Sequence, residues 1–230
     1  KLLSNNLIFI ASIPFHIIIA LFIAVLLYEK VPGWKFFRAV IFFPSILPTI
    51  VVGLIFKSMF LYDGPINALF RQFHLNFLAI DWLANSASAM SVILMCIFWQ
   101  NIGYGVVIFL AGISVISPAI MEAASLDGAN WFQKVFYIIL PLLAKSIEFF
   151  SITSIIMTFT SLFGVIFAIT NGGPGYDTTS LEYMIYLKAF KTGNGMGYAC
   201  ALAVILLVLI LIVSRLQIFL AEKLFSEEKI

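Results

Sequence analysis

The sequence has few charged residues, and this shortage excludes most classes of soluble protein. Asp, Glu, Lys and Arg make up 10% of its 230 residues, whereas an ordinary soluble domain has about 25%. Hydrophobic residues make up 63%, and a water-soluble chain of this length has no interior large enough to bury them. The chain is therefore expected to lie in a lipid bilayer.

Binding and redox signals are also scarce. The net charge of +2 gives no electrostatic basis for binding nucleic acid. Cys96 and Cys200 are the only cysteines and lie in apolar segments, so they are predicted to act as small hydrophobic residues. His16 and His74 have no further ligand at metal spacing and are predicted to be structural.

Motifs for catalysis are missing from the sequence. No G-x-x-x-x-G-K-[ST] pattern occurs, so the chain is not expected to bind ATP through a P-loop. The Gly-rich run over 193–197 follows no strand and is predicted to be a turn. Without a nucleophile–base pair or a metal cluster, we expect no enzyme activity and no cofactor in this chain.

Long uncharged stretches predict an all-α membrane protein with five spans. A span needs about 20 apolar residues, and a lone span in lipid must satisfy its own backbone groups as a helix. The helices are expected near 7–28, 38–60, 88–111, 142–169 and 197–219. We predict one transmembrane domain over 1–230, with outer loops near 61–87 and 170–196 and an inner helix near 117–129.

Cationic residues predict the orientation of these spans. Cytoplasmic connections carry an excess of Lys and Arg. The first and third connections and the tail after the last span form one set, and the opposite side forms the smaller set. The larger set is Lys30, Lys35, Arg38, Lys134, Lys145, Arg215, Lys223 and Lys229, and the smaller set is Lys1, Lys57, Arg71, Lys188 and Lys191.

A short polar segment separates the third and fourth spans. Ser117-Pro118 favours a helix start, although Ile120 stands where a capping box would have Glu or Gln. Gly128 is typical of a helix that ends in a left-handed turn. An amphipathic helix on the lipid headgroups is the alternative, but Glu122 and Asp127 would be repelled by anionic lipids.

This segment carries a motif that extends into the fourth span. Its residues are Glu122-Ala123-Ala124, Asp127-Gly128-Ala129, Trp131 and Ile138-x-Leu140-Pro141. The motif resembles the coupling loop of permease subunits in bacterial binding-protein-dependent ABC importers. The second outer loop, with Gly172-Gly173-Pro174 and Thr178-Thr179, resembles the carbohydrate-uptake branch, in particular the larger maltose- and glycerol-phosphate-type first permease. Met121 and Ala144-Lys145 depart from the usual pattern.

The resemblance implies a MetI-like fold in a multi-pass protein of the bacterial cytoplasmic membrane. Such subunits usually have six or more helices, and since the sequence begins with Lys1 we expect a missing N-terminal helix. The implied partners are a second permease, two ATP-binding cassette ATPases that bind ATP and Mg, and an extracytoplasmic solute-binding protein. The residues implied to couple to the ATPases are Glu122, Ala123, Ala124, Asp127 and Gly128.

Uncharged polar residues within two spans are candidates for a substrate pathway. One set lies on the third span, and the other follows i, i+4, i+7 spacing along the fourth. They are Gln100, Asn101 and Tyr104, and Ser154, Thr158 and Ser161. Amide, hydroxyl and aromatic groups suit a sugar or oligosaccharide, with glycerol phosphate or another polyol as the alternative. Ordinary helix–helix packing is the competing interpretation.

Three further alternatives remain open at this point. Glu148 follows Lys145 by three residues, which predicts an interfacial ion pair, with a gating contact as the other interpretation. An ion-driven secondary transporter would usually have inverted repeats and buried ionisable residues, and neither is evident. An intramembrane enzyme would need a catalytic pair that the sequence does not have.

Overall fold

The chain folds into helices joined by turns in the computed structural model. The structure describes residues 1–193 and 195–226, with side chains described through residue 219, and contains no strand within those residues. The prediction of an all-α protein is confirmed. Asn194, part of the predicted Gly-rich turn, and Lys229, one of the predicted inner cations, lie outside the described residues.

The helices follow one another along the chain with short 3-10 and π-helical turns between some of them. The α-helices are α1 Leu2–Ala11, α2 Ile13–Tyr28, α3 Trp34–Ile46, α4 Thr49–Phe60, α5 Pro65–Gln72, α6 Ser86–Ser114, α7 Pro118–Leu126, α8 Trp131–Lys134, α9 Leu140–Leu142, α10 Ala144–Thr160, α11 Phe163–Ile169, α12 Leu181–Tyr186 and α13 Met196–Ser226. A 3-10 turn covers Asn76–Leu78, and π-helical turns cover Val135–Ile139 and Leu187–Lys191.

Within the described residues, four helical segments are long and apolar enough to cross a membrane. They are Leu2–Tyr28, Thr49–Gln72, Ser86–Ser114 and Met196–Phe219. A further candidate is bent, because Trp131–Leu142 and Ala144–Thr160 meet at 66°. The predicted number of spans therefore agrees with the structure when the bent pair counts as one, while the predicted bounds of the second and fourth spans need correction.

The prediction of one helix over 38–60 is wrong, because the chain breaks between α3 and α4. Pro48 has φ −58° and ψ 130°, an extended conformation that neither helix includes. Proline has no backbone N–H to donate and disfavours helical geometry in the residue before it. The second span accordingly begins at Thr49 rather than near 38.

The prediction of one helix over 142–169 is also wrong, since this stretch has two breaks. Leu143 leaves helical geometry between α9 and α10, with ψ 1°. The second break, at Ser161, contains no proline. There the first backbone N–H of α11, on Phe163, donates to the Glu182 carboxylate at 2.9 Å. A side chain of α12 thus satisfies a donor that the helix start leaves free.

The connection over 61–87, predicted to be an outer loop, is more ordered than a loop. It contains α5 and the 3-10 turn, which are held together by the fully buried side chain of Asn67. The Asn67 amide donates to the Ile80 carbonyl at 2.7 Å and to the Tyr62 carbonyl at 3.0 Å, and its oxygen accepts from the Trp82 indole at 3.0 Å. One amide therefore organises the connection.

The connection over 170–196, also predicted to be an outer loop, contains α12 and a π-helical turn rather than loop alone. Two buried asparagines of α1 hold it. Asn5 donates to the Thr179 carbonyl at 2.9 Å, and the Asn6 side-chain oxygen accepts from the Leu181 backbone N–H at 3.1 Å. Hydrogen bonds from Lys1 and Ser86 hold the pKa of nearby Asp177 below its ordinary value.

The described residues pack into two units, the first of which comprises 1–12, 47–100 and 155–214. Its core includes Val52, Ile166 and Cys96, all buried, so Cys96 is the small apolar residue that was predicted. Helices α4 and α11 approach closely through two glycines. A Cβ on Gly53 would lie 2.6 Å from the Ala168 Cβ, and one on Gly164 would lie 3.3 Å from Thr49 and Ile50.

The second unit comprises 13–46, 101–154 and the residues from 215 onward. Its interior contains the Phe109 and Phe150 rings, whose centroids are 5.3 Å apart in an edge-on arrangement. Gly105 of α6 lets Ala20 of α2 and the Phe150 ring come within about 3 Å of the position its Cβ would occupy. A small residue is therefore needed at this crossing of α2, α6 and α10.

Replacing Gly53 by Ala tests the close packing of α4 on α11. The added methyl group would displace the Ala168 side chain, and such overpacking costs about 1–3 kcal/mol. We expect a lower thermal unfolding midpoint in detergent. Gly197→Ala is the matched control, because nothing lies within 4 Å of the added methyl group. Equal midpoints for the two variants would contradict the close contact.

Candidate functional site

The predicted coupling segment forms a short helix, α7, as expected near 117–129. Ser117 occupies the position before the helix and Pro118 its first turn. The Ser117 hydroxyl makes no capping hydrogen bond, so the proline and not the serine cap is the confirmed part of the start signal. Within the helix, the Ser125 hydroxyl donates to the Met121 carbonyl at 2.8 Å.

The end of α7 is fixed by the glycine that the sequence indicated. Gly128 has φ +80°, and its N–H donates to the Ser125 carbonyl at 3.2 Å. The Ala129 N–H donates to the Ala124 carbonyl at 2.9 Å. These two bonds form a Schellman motif, in which a residue in the left-handed region closes the helix. Glycine is favoured there because it has no Cβ.

The residues predicted to couple lie at the surface. Glu122, Ala123, Asp127 and Gly128 are exposed, and Ala124 is half-buried. Leu126, at the last position of α7, is 89% exposed. The sequence prediction did not include this leucine, which lies between the two named parts of the motif, Glu122-Ala123-Ala124 and Asp127-Gly128-Ala129. The signal was present, because a large apolar residue stood between Ser125 and Asp127 in a polar segment.

Helix α8 starts three residues after Gly128 and is capped on both sides of its first turn. The Asn130 side chain accepts from the Gln133 N–H at 2.9 Å, and the Gln133 side chain accepts from the Asn130 N–H at 2.8 Å. This is a capping box. The sequence prediction considered this motif at Ser117 and missed it at Asn130. The Lys134 ammonium donates to the Ser125 hydroxyl at 2.7 Å, which connects α8 to α7.

The route from α8 into the fourth span is bent at Leu143. Gly112 of α6 lies opposite the bend, and a Cβ there would lie 2.5 Å from the Leu143 side chain and 2.6 Å from the Ser146 hydroxyl. Just beyond the bend, Lys145 and Glu148 form an ion pair at 2.9 Å. The interfacial ion pair predicted for Glu148 is therefore present.

Gln100 makes hydrogen bonds that belong to helix packing. Its side chain is buried, and its amide nitrogen donates to the Leu47 carbonyl at 3.0 Å and to the Thr49 hydroxyl at 3.2 Å. Both acceptors flank the break between α3 and α4. These contacts favour the packing interpretation for Gln100 over a direct contact with cargo.

The other predicted pathway residues fall in both units. Tyr104 is half-buried, and its ring centroid is 6.1 Å from that of Phe150. Asn101 and Ser154 are half-buried, and Thr158 is buried near the end of α10. Ser161 is exposed in the break after α10, so it is not on a continuous helix with Ser154 and Thr158.

Metal-binding chemistry is not indicated in the part of the chain that the structure describes. No group of three or more His, Cys, Asp or Glu side chains is close enough there to hold an ion. His16 is buried in α2, and His74 lies in the connection over 61–87 with φ +58°. Cys200 is exposed on α13.

Comparison with known proteins places this architecture in a family. Residues 16–226 match the model of the binding-protein-dependent transport system inner membrane component. The chain belongs to this family. The resemblance found in the coupling motif is thereby confirmed, and the protein is a multi-pass transport component of the inner membrane.

Relatives support this assignment in sequence and in fold. The multiple sugar-binding transport system permease protein MsmF of Streptococcus mutans is 39% identical over 214 residues, 93% of this chain and 72% of that protein. The sn-glycerol-3-phosphate transport system permease protein UgpA of Agrobacterium fabrum is 30% identical, over 89% of this chain and 69% of that protein. A bacterial ABC transporter involved in alginate import has the same fold, with TM-score 0.87, 18% identity and coverage of 96% of this chain and 78% of that chain.

Proposed function

We propose that this chain is the permease subunit of an ATP-driven importer and forms half of the pathway for a sugar or oligosaccharide. Family membership over 16–226 supports a transport role. The sugar class is suggested by the relative MsmF, which is named for multiple sugar-binding transport. The chain itself moves the cargo, and ATP with Mg is bound by its partners.

The observation that carries the coupling role is the surface of α7. This short helix is closed at its end by hydrogen bonds, so it keeps its shape without being buried. It presents Glu122, the small side chain of Ala123 and the apolar side chain of Leu126 to the outside. An acid beside small and apolar side chains fits a protein groove better than anionic lipid headgroups. We infer that an ATPase binds here.

The proposed assembly has five chains. A second permease completes the pathway as a heterodimer, two ATP-binding cassette ATPases bind on the cytoplasmic side, and a solute-binding protein delivers cargo from outside the cytoplasmic membrane. An alginate ABC transporter of the same fold, with TM-score 0.86, was crystallised with a periplasmic protein bound to an alginate pentasaccharide. That precedent supports a binding-protein partner for this chain.

We propose that the main cargo is an uncharged sugar. The six predicted pathway residues are all neutral. A phosphate group that crosses the membrane through such a pathway would need cationic partners. UgpA, named for glycerol phosphate transport, is nevertheless 30% identical, so a polyol phosphate is the second candidate. An uptake panel that includes maltose-type oligosaccharides and glycerol phosphate, run on the assembled complex, separates the two.

An ion-driven secondary transporter is the competing class of protein. The two classes differ in their energy source, which is ATP hydrolysis for the importer and an ion gradient for the secondary transporter. The proposal expects co-purification of a second permease and ATPases, and ATP hydrolysis that rises when loaded binding protein is added. Full uptake by this chain in vesicles without any ATPase would exclude the proposal.

Glu122→Lys and Gly128→Pro should each separate ATP hydrolysis from uptake or release the ATPases. The first reverses the charge at the proposed interface, where breaking a charged contact costs about 2 kcal/mol or more. The second forces φ from +80° to about −65° and removes the N–H that donates to Ser125. Uptake and ATP turnover are measured in proteoliposomes. An unchanged ratio of ATP hydrolysed to sugar imported in both variants would contradict a coupling role for this part of α7.

Tyr104→Ala combined with Thr158→Ala should slow uptake by about thirtyfold while the complex still assembles, because lost stacking and hydrogen-bonding groups each cost about 1 kcal/mol and about 1.4 kcal/mol is a factor of ten. Initial uptake rates at saturating binding protein provide the measurement. Thr153→Ala is the control, since its exposed hydroxyl already donates to the Phe149 carbonyl of its own helix. Undiminished uptake by the double variant would remove both residues from the pathway.

A further inference from the structure

Trp131 connects α8, the helix that follows the proposed ATPase-docking helix α7, to α2, which is far away in the sequence. It is the first residue of α8, and its indole N–H donates to the Glu29 carboxylate at 2.5 Å. Glu29 directly follows the last residue of α2. A hydrogen bond to an ionised acceptor is shorter and stronger than one between neutral groups.

A ring contact supports the same connection. The Trp131 ring meets the Phe22 ring edge-on, with centroids 6.3 Å apart and planes at 82°. This distance and angle are favourable for aromatic pairs. Phe22 and Glu29 are seven residues apart, so they lie on one face of α2, two helical turns from each other. Trp131 therefore contacts α2 at two levels.

Helix α8 also contacts the proposed docking helix, through a residue one turn after Trp131. The Lys134 ammonium donates to Ser125 of α7 at 2.7 Å. The capping box at Asn130 fixes the start of α8, and with it the position of the Trp131 side chain. A displacement of α7 thus reaches α2 through one rigid turn of helix.

The covalent route from α8 to α10, the main helix of the fourth span, is less direct than the contact of Trp131 with α2. It passes through the π-helical turn Val135–Ile139 and then through the 66° bend at Leu143. Regular α-helical hydrogen bonding makes a helix stiff along its axis, and both features interrupt it. The contact of Trp131 with α2 avoids both interruptions.

We propose that Trp131 and Glu29 are positioning residues that make α2 a second output of the docking helix, beside the fourth span. This inference rests on the proposed function, in which α7 receives the movement of an ATPase. Because Glu29 is exposed, the hydrogen bond matters for where α2 is held and little for the stability of the fold.

The test is a double-mutant cycle in the assembled importer, reconstituted with its binding protein and a transported sugar. Trp131→Phe keeps a ring beside Phe22 and removes the donor, and Glu29→Leu removes the acceptor. Each should raise the ATP hydrolysed per sugar imported by about three- to tenfold, the range expected from one hydrogen bond. The double variant should be no worse than either single variant.

Glu29→Gln separates hydrogen bonding from a general loss of structure. Its amide oxygen still accepts from the indole, so the ratio should return close to that of the unmodified complex. Trp34→Phe is the matched control, since it removes the N–H donor of another tryptophan in the second unit and leaves Trp131 and Glu29 unchanged. Co-purification of the ATPases should be unchanged in every variant.

Three results would overturn the inference: an unchanged ratio in Trp131→Phe, additive effects in the double variant, or Glu29→Gln as damaging as Glu29→Leu. A failure of the proposed function gives a different result. In that case the unmodified complex itself would import sugar without consuming ATP, or would not retain an ATPase.

Discussion

Every backbone group in an apolar environment needs a hydrogen-bond partner, and this requirement governs where the helices of this protein break. Three breaks interrupt predicted spans, and at two of them, the breaks at Pro48 and at Ser161, a side chain from another helix makes a hydrogen bond to the backbone. Gln100 of α6 donates to the Leu47 carbonyl at the first break. Glu182 of α12 accepts from the Phe163 N–H at the second, and burial raises the pKa of this carboxyl.

The same requirement explains the asparagines of α1. The Asn6 amide donates to the Thr158 carbonyl at 3.4 Å, in the last turn of α10, where carbonyls lack helical partners. Polar side chains in the spans therefore serve the backbone before they are available for cargo. The sequence alone leaves both interpretations of Gln100 open, because an amide within a span has the same local pattern whether it bonds to the backbone at a break or contacts a substrate.

How much the sequence could predict depended on whether the deciding signal was local. Gly128 marked the end of α7 because a left-handed residue is a local need, and the long uncharged runs marked the spans. Pro48 is a local signal for the first break, because proline has no N–H to donate within a helix, yet the uncharged run around it predicted one helix over 38–60. The break at Ser161 has no local signal, since it depends on Glu182, a residue 21 positions away. Leu126 stands out locally as a large apolar residue in a polar segment, but its exposure depends on the tertiary packing around α7.

The paired glycines between α4 and α11 have a consequence for the two breaks. Gly53 lies against Ala168, and Gly164 lies against Thr49 and Ile50, so the segments that follow the breaks fit together almost backbone to backbone. Segments packed this closely cannot slide without opening a void. The close packing of α4 on α11 therefore fixes the starts of these two helices relative to each other, so the chain resumes its helical path at both breaks in one common arrangement.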